Sequence, residues 1–229
     1  MVSGRTQADR TLVDVVVRGL REDILRGELR PGSSLVLADL AARFAMSVMP
    51  IREAIRRLQT EGLVEQIPHR GARVSAVSVS DLESLYTTRI PLETLSTRLA
   101  AAHFTDADYD RLSVVLEEYV EAYSEGDDQR GRERHAAFHL GLYEVSGSRW
   151  LLRTIAPLWD AAERYQRLSI RLRGSLEKRH GEHRRILERC RERDADAAAA
   201  ALEEHLRRSM DLVKMELEDS KDGSGDGGN

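Results

Sequence analysis

Residues 47–63 read SVMPIREAIRRLQTEGL, and this stretch decides how the first third of the chain folds. Ser47 is a candidate N-cap, and Pro50 suits the first turn of a helix because its missing N–H has no intrahelical partner there. Apolar residues then recur at helical spacing until Gly62 ends the pattern. They are Ile51, Ala54, Ile55 and Leu58. The stretch predicts a short amphipathic helix.

Two more helices are expected before this stretch. Residues 8–26 repeat an apolar side chain every four positions, beginning at Leu12, and Gly27 ends the repeat. The segment LRPGSSL at 29–35 supplies a Pro-Gly turn and serines that can cap the next helix. That helix is the short segment LADLAARFA at 37–45.

Two short apolar runs follow the opening stretch. LVEQI at 63–67 and ARVSAV at 72–77 flank the tetrapeptide PHRG and predict a two-stranded hairpin with a basic tip. Three helices followed by such a hairpin is the order of a winged helix-turn-helix, whose third helix lies in the major groove of DNA.

Candidate DNA contacts lie on the third helix and at the hairpin tip. Arg52 and Arg56 are four residues apart, so they share one exposed side of the helix, where basic side chains can contact phosphates and bases. The candidate set is Ser47, Val48, Met49, Arg52, Arg56, His69, Arg70 and Arg73. The alternative is that these are solvated surface residues of an ordinary helical domain.

Helical periodicity continues from Ser80 to about Glu218, with almost no strand signal. SEGDD at 124–128 and VSGS at 145–148 interrupt it. The last three helices fit roughly 148–171, 175–192 and 195–217. The predicted fold class is therefore mostly α, with an N-terminal winged helix-turn-helix and a C-terminal all-α helical bundle. The expected organisation is a DNA-binding domain at 8–76, a bundle at 80–217 and a disordered tail at 218–229.

The composition agrees with a two-domain globular protein. A length of 229 residues with 41% hydrophobic and 32% charged residues is typical of a helix-rich globular chain. The formal charge is +3 through Ser75 and −7 over the remainder, so DNA contact is expected in the first third. A single cysteine, no signal peptide and no apolar run of about 20 residues indicate the cytoplasm and no membrane.

The segment HAAFH begins at His135 and ends at His139, so both histidines lie on one helix face. His183 and His205 lie on the apolar faces of two later helices, so three helices direct histidine into the bundle. These histidines are either hydrogen-bonded core residues or ligands of one divalent metal, which would offset the cost of burying several imidazoles. Imidazole sites suit zinc, nickel, copper or cobalt alike.

The front of the chain resembles the DNA-binding domain of GntR-family bacterial transcription regulators. The segments that carry the resemblance are GELRPGSSL, MPIREAIRRLQTEGLVE and PHRGARV, in this order between about Leu20 and Ser75. The resemblance implies a regulator that binds a DNA operator. Family members usually carry Ser-Arg-Thr-Pro where this chain has Ser47-Val48-Met49-Pro50, so the arginine that reads guanine is missing. Val48 or Met49 can instead touch a thymine methyl group.

The remainder, from about 80 to 217, resembles the all-helical, FCD-like effector-binding domain of the FadR-type subfamily. The segments are DLESLYTTRIPLETLSTRLAAAHF, AAFHLGLYEVSG and EHRRILERCRERDADAAAAALEEHL. Many members bind a metal through Asp-x3-His on one helix and single histidines on two later ones. The resemblance implies a divalent ion held by His139, His183 and His205, with His135 where the family has aspartate. The expected ion is zinc or nickel. His180 is a possible substitute ligand.

The resemblance also assigns a role to Arg89. The family places an arginine in the pattern RxxLE in its first effector-domain helix, and Arg89, Leu92 and Glu93 match this pattern. The family's arginine holds an effector carboxylate, so Arg89 is the candidate effector-binding residue. The alternative is an ordinary surface salt bridge between Arg89 and Glu93, four residues apart.

The expected function is that of a homodimeric regulator, a repressor that binds a palindromic double-stranded operator and leaves it when a small carboxylate binds near the metal. A metal sensor, for which the ion itself is the signal, is one alternative. A metal-dependent helical-bundle enzyme is another, but Ala136 stands where HExxH hydrolases carry their glutamate, and no paired Glu-x-x-His motifs appear. No enzymatic activity is expected.

Overall fold

The computed structural model describes residues 7–68, 71–169 and 176–222, in which it places nine helices and three short strands. The helices are α1 (Gln7–Arg26), α2 (Leu37–Phe44), α3 (Val48–Thr60), α4 (Val79–His103), α5 (Asp106–Ser124), α6 (Asp128–Glu144), α7 (Arg149–Leu168), α8 (Leu176–Arg191) and α9 (Ala195–Asp222). The strands are β1 (Ser34–Leu35), β2 (Val64–Ile67) and β3 (Gly71–Val74). The predicted mostly α fold is confirmed.

The described residues divide into two compact units. One comprises the chain up to Ser78 together with Asp160–Arg167, and the other comprises Val79–Trp159 and the residues from Leu168 onward. Within the described residues, no helix is both long enough and apolar enough to cross a bilayer.

The first unit is built around α3, which begins at Val48 after Ser47 in the N-cap position. The Ser47 side chain makes no capping hydrogen bond. The predicted apolar face is buried, and Gly62 follows the helix with a φ of 72°, a conformation that glycine adopts without steric cost. Burial of this face leaves Arg52 on the exposed side. The unit's core includes Val16, Leu20, Leu35, Ile51, Leu58, Leu63 and Val74.

The predicted hairpin is part of a three-stranded antiparallel sheet in the order β1-β3-β2. The serines before α2 do not cap it, contrary to the sequence prediction: Ser34 pairs with Arg73, and Val36 occupies the N-cap without a side-chain hydrogen bond. Pairing with β3 places Leu35 in the core at 4% exposure. Burial of this leucine explains why the segment forms a strand rather than a capping turn.

The second unit consists of packed helices. Helix α4 packs against α9 and α6, α5 packs against α6 and α8, and α8 packs against α9. The last helix continues to Asp222, so the prediction that it ends near 217 was about one turn short. Residues 223–229, the glycine-rich end of the expected tail, lie outside the described residues.

Helix α4 buries polar residues on the face that its neighbours cover. Leu95 is 44% exposed, whereas Arg89, Glu93 and Ser96 are each at most 1% exposed. Buried polar groups need partners, and these residues have them: Arg89 pairs with Glu93, and the Ser96 hydroxyl donates to the Tyr143 carbonyl oxygen at 3.4 Å. This polar face borders the histidines of α6.

Candidate functional site

The four predicted histidines meet inside the second unit. Helix α6 supplies His135 and His139 one turn apart, α8 supplies His183 and α9 supplies His205, and none is more than 5% exposed. Each offers one ring nitrogen, and these four nitrogens lie within 4.8 Å of one another. The Nε2 atoms of the first three are closest, at 3.2 Å for His135 and His183, 3.2 Å for His139 and His135, and 3.1 Å for His139 and His183.

Hydrogen bonding among these three imidazoles cannot account for the arrangement. Each short contact requires one nitrogen that carries a proton and one that carries a lone pair. Each of the three Nε2 atoms either carries a proton or carries a lone pair, so at least two of the three are of the same kind. The contact between those two is unfavourable unless a further group lies between them. Nitrogens that bind one ion at about 2.0–2.1 Å lie about 3 Å apart. The donor set therefore fits a divalent metal ion.

The protonation state of the cluster also suits an ion. Burial lowers the pKa of His135, His139 and His183 well below 6.5, and nearby arginines and histidines lower each further. Burial lowers the pKa of His205 as well, although its hydrogen bond with Glu182 acts in the opposite direction. Neutral imidazoles present lone pairs, so an ion need not displace protons to bind them.

Two of the histidines are oriented through their second ring nitrogen. His205 Nδ1 lies 2.9 Å from Glu182 Oε2, and the other oxygen of this carboxylate accepts from Arg208 at 2.9 Å. His139 Nδ1 lies 3.3 Å from the Tyr143 hydroxyl. Such contacts fix ring orientation and, in the case of a carboxylate, make the ligand nitrogen a stronger donor. Sequence reasoning missed Glu182, which directly precedes His183.

Arg89 lies beside the cluster in an ion pair with Glu93. Its Nε donates to Glu93 Oε1 at 2.6 Å and its Nη2 to Oε2 at 3.3 Å, and the side chains are 1% and 0% exposed. The pair forms as its spacing predicted, but it is not a surface salt bridge. Burial is the largest single influence and opposes the charged form, but the Glu93 carboxylate, together with Tyr86 and Tyr143, raises the pKa of Arg89 overall.

The surroundings of Arg89 connect it to the histidines. Its guanidinium carbon lies 4.7 Å from the Tyr86 ring centroid and 5.1 Å from that of Trp159, and the Trp159 ring lies 5.2 Å from those of His135 and His139. The Tyr143 hydroxyl, beside His139, donates to Glu93 Oε2 at 2.5 Å. Arg89 Nη1 has no hydrogen-bond partner among the described residues.

A second arginine, Arg179 of α8, reaches the cluster and was missed from sequence. It is 6% exposed, and its Nη2 donates to His135 Nε2 at 3.1 Å. Its position four residues before His183 is the signal that could have found it, since such residues share a helix face. His180 does not join the cluster; it lines a separate cavity of about 260 Å³ between α5 and α8, with Tyr109 among its walls.

The candidate DNA contacts of α3 lie on an exposed side of the first unit. Val48 is 39% exposed, Met49 is 70% exposed, and Arg52 is exposed with no hydrogen bond or ion pair among the described residues. The Arg56 side chain is 69% exposed and lies 4.0 Å from a Glu53 oxygen. Both arginines line a groove of about 590 Å³ between α3 and the sheet.

The hairpin differs from its prediction at Arg73. This residue does not lie at the tip; it lies in β3 opposite Glu65, and its Nε donates to Glu65 Oε1 at 2.7 Å. The antiparallel register explains the difference, because β2 and β3 pair from Val64 to Ile67 and the tip is confined to the residues between the strands. The other tip candidates, His69 and Arg70, lie outside the described residues.

Comparison with protein-family models accounts for both units. Residues 12–74 match the model for bacterial regulatory proteins of the gntR family, and residues 84–208 match the model of the FCD domain. The chain belongs to the GntR family. A GntR domain followed by an FCD domain is the organisation of the FadR-type subfamily, as the sequence resemblance implied.

Curated relatives agree with this assignment. This GntR regulator is 30% identical over 218 residues to the HTH-type transcriptional regulator BphR of Paraburkholderia xenovorans, covering 90% of this chain and 86% of that protein. It is 28% identical over 210 residues to the HTH-type transcriptional repressor GlaR of Escherichia coli, covering 87% and 94%. The chain is therefore a DNA-binding transcription regulator and not an enzyme.

Solved structures share the fold. McbR/YncC of E. coli matches with a TM-score of 0.72 and 23% identity, covering 89% of this GntR chain and 97% of that chain. A GntR transcriptional regulator from Rhodococcus sp. RHA1 matches with a TM-score of 0.73 and 22% identity, covering 88% and 96%. These likenesses support the winged helix-turn-helix and the helical bundle.

Proposed function

We propose that this GntR regulator is a homodimeric repressor that holds a divalent metal ion at its histidine cluster and leaves a palindromic operator when a small carboxylate binds beside the ion. The observation that carries the proposal is the convergence of four buried imidazoles next to a buried arginine. The relative GlaR is named a transcriptional repressor, which supports the direction of the effect. A regulator of bacterial genes acts where the chromosome lies, so we infer a cytoplasmic location.

The proposed metal ligands are His135, His139, His183 and His205, and the proposed ion is zinc or nickel, since imidazole suits both. The ion would supply positive charge and an open coordination position for a carboxylate oxygen. Arg89 would bind the carboxylate through Nη1, the donor that Glu93 leaves unused. Both contacts favour an anion in a bundle of low effective dielectric.

Effector binding in one unit is proposed to change operator affinity in the other. Such coupling must be reciprocal, because each ligand changes the other's binding free energy by the same amount. Operator DNA should therefore weaken carboxylate binding to the same degree that the carboxylate weakens operator binding. A homodimer would place two α3 helices about 34 Å apart, one turn of the duplex, which is the geometry of a palindromic site.

Elemental analysis combined with thermal unfolding tests this proposal. Protein purified without chelator should contain one equivalent of zinc or nickel per chain, and a small carboxylate should raise its unfolding temperature because it binds the folded state. Ready loss of the ion at submicromolar free metal, with no shift from any carboxylate, would favour a metal sensor. No metal and no shift would mean that the histidines are core residues.

Glu182 offers a prediction about the ion that does not alter a proposed ligand. Glu182→Gln should lower metal affinity about 10- to 100-fold, because a neutral amide polarises His205 less than the carboxylate that accepts its Nδ1–H. A chelator competition measures the affinity. The control is Glu177→Gln, an exposed glutamate of the same helix. Equal affinities for Glu182→Gln and wild type would remove Glu182 from the site.

The start of α3 offers a prediction about operator sequence. The proposed DNA-contacting residues are those named from sequence, and Val48 occupies the place of the family's usual arginine. Val48→Arg should shift preference toward guanine by about 1–3 kcal/mol, the discrimination of a bidentate arginine contact. Selection from a random duplex library measures the consensus, with Val15→Arg, 38% exposed on α1, as the control. An unchanged consensus would contradict the assignment of Val48 to the position of the family's usual arginine.

A further inference from the structure

The cluster is flanked by two similar sets of hydrogen-bond donors that have no partner in the described part of the chain. The first set is Arg89 Nη1 and the Tyr86 hydroxyl, which belong to side chains in contact on α4. The second set is Arg179 Nε and the Tyr119 hydroxyl. The Arg179 guanidinium carbon lies 5.9 Å from the Tyr119 ring centroid. All four side chains are at most 6% exposed.

Buried donors without acceptors destabilise the fold, so two such sets beside one cluster indicate that a ligand supplies the acceptors. An unsatisfied buried polar group costs about 1–3 kcal/mol, and more if it is charged. Among the described residues none of these four donor atoms has a partner. A phenol hydroxyl carries its proton near neutral pH, so Tyr86 and Tyr119 can both donate. A guanidinium beside a phenol hydroxyl is a suitable pair of donors for one carboxylate.

The two sets lie beside different parts of the cluster. Arg179 Nη2 contacts His135 Nε2 at 3.1 Å, and the Tyr119 ring lies 5.5 Å from that of His135 and 5.6 Å from that of His183. Arg89 instead lies against Trp159 and joins His139 through Glu93 and Tyr143. The first set belongs to α4, whereas Tyr119 of the second set belongs to α5 and Arg179 to α8.

The charges of the described residues also favour a ligand with more than one negative charge. Glu93 pairs with Arg89, and Glu182 pairs with His205 and Arg208, so Arg179 forms no ion pair with a carboxylate among the described residues. With neutral imidazoles, the two glutamates at most balance Arg89 and Arg179. Any divalent ion then adds two positive charges, which a monocarboxylate would only half compensate.

We propose that the effector is a short dicarboxylate, with one carboxylate on Arg89 and Tyr86 and the other on Arg179 and Tyr119. This inference rests on the proposed function, because it identifies the class of the carboxylate and adds Arg179 as a specificity-determining residue. An imidazole Nε2 has a single lone pair, so His135 cannot both bind an ion and accept from Arg179. Occupation of the site by an ion therefore leaves Arg179 Nη2 available to the effector.

Calorimetry on the full-length, metal-replete protein tests the inference. The probes are malonate, succinate and glutarate, each compared with the monocarboxylate of equal chain length: propionate, butyrate and valerate. Inorganic phosphate serves as a compact dianion. At least one dicarboxylate should bind about tenfold or more tightly than its monocarboxylate and than phosphate, because a second charge-assisted set of hydrogen bonds forms.

Two variants assign this preference to the second set. Arg179→Gln should reduce the dicarboxylate preference to about threefold or less while changing monocarboxylate affinity less than about threefold. Tyr119→Phe, which removes one hydroxyl from a buried ring, should weaken the dicarboxylate about two- to tenfold. Arg184→Gln, an exposed arginine of the same helix, should change neither affinity. Metal content is measured for each variant, so that loss of the ion is distinguished from loss of the anion contact.

The outcomes separate this inference from the proposed function. If wild-type protein binds a monocarboxylate or phosphate as tightly as every dicarboxylate, the dicarboxylate assignment is wrong and a carboxylate-responsive regulator stands. If the preference persists in both Arg179→Gln and Tyr119→Phe, Arg179 does not recognise the effector. If no carboxylate binds the metal-replete protein, the proposed function fails together with this inference.

Discussion

Replacing His183 with alanine is expected to remove the bound metal from the protein and to abolish the response of operator binding to carboxylates. The His183 Nε2 atom lies within 3.2 Å of the corresponding atoms of both His135 and His139, so its loss takes away a nitrogen that contacts two others. Metal affinity should fall by more than about 100-fold, since even a partner of a ligand contributes 10- to 100-fold. Elemental analysis after purification without chelator measures the loss.

The matched control is His180→Ala. His180 lies on the same helix three residues earlier but lines a separate surface cavity, so its loss should leave the metal in place. Carboxylate-free operator binding of His183→Ala should stay within about threefold of wild type, because the first unit has a hydrophobic core of its own. Circular dichroism confirms the helical content. Stoichiometric metal in His183→Ala, or its absence from wild type, would contradict the proposed role.

Helical periodicity was sufficient to predict which histidines turn inward. An α-helix places residues four apart on one face, so His135 and His139 could be assigned to the bundle interior from their spacing and from the apolar residues around them. Convergence of three helices on one point is a tertiary property that no local spacing encodes. The structure supplies it: four ring nitrogens lie within 4.8 Å.

Polar residues were harder to predict because their partners lie far away in sequence. Glu93 was expected only as a surface partner of Arg89, whereas the structure buries it with the hydroxyl of Tyr143, 50 residues later. Arg179 was missed because a charged residue is ordinarily assigned to the surface. In both cases a hydrophobicity pattern assigned a polar residue to solvent, while tertiary hydrogen bonds make its burial possible.

The sheet also contains a contact between residues far apart in sequence that the sequence pattern did not predict. The hairpin of β2 and β3 was predicted because its strands are adjacent in sequence and separated by turn residues. Strand β1 has only two residues, and its pairing with β3 joins Ser34 to Arg73, 39 residues later. That pairing makes β3 the central strand, and the register of β3 with β2 keeps Arg73 away from the tip.

Replacing Arg52 with alanine is expected to lower operator affinity by about 100-fold or more. Arg52 is an exposed arginine of α3 with no hydrogen bond or ion pair among the described residues, and it lines the groove between α3 and the sheet. A bidentate arginine contact contributes about 1–3 kcal/mol, and a dimer on a palindromic site makes it twice. Position 48 is a valine in this chain, so no arginine there can replace the contact that Arg52 makes. Gel-shift titration at fixed salt measures the affinity, since salt alone changes it strongly.

The control for this prediction is Arg57→Ala on the same helix. Arg57 Nη1 donates to Asp14 Oδ1 of α1 at 2.6 Å, so this arginine is already engaged within the unit. Loss of such an exposed ion pair costs at most about 1 kcal/mol of stability, and operator affinity should change less than about threefold. Because both variants remove one positive charge from α3, a general electrostatic effect would weaken them equally. If Arg52 contacts a base specifically, only Arg52→Ala should lose operator affinity. Equal titration curves for the two variants would mean that other residues read the bases.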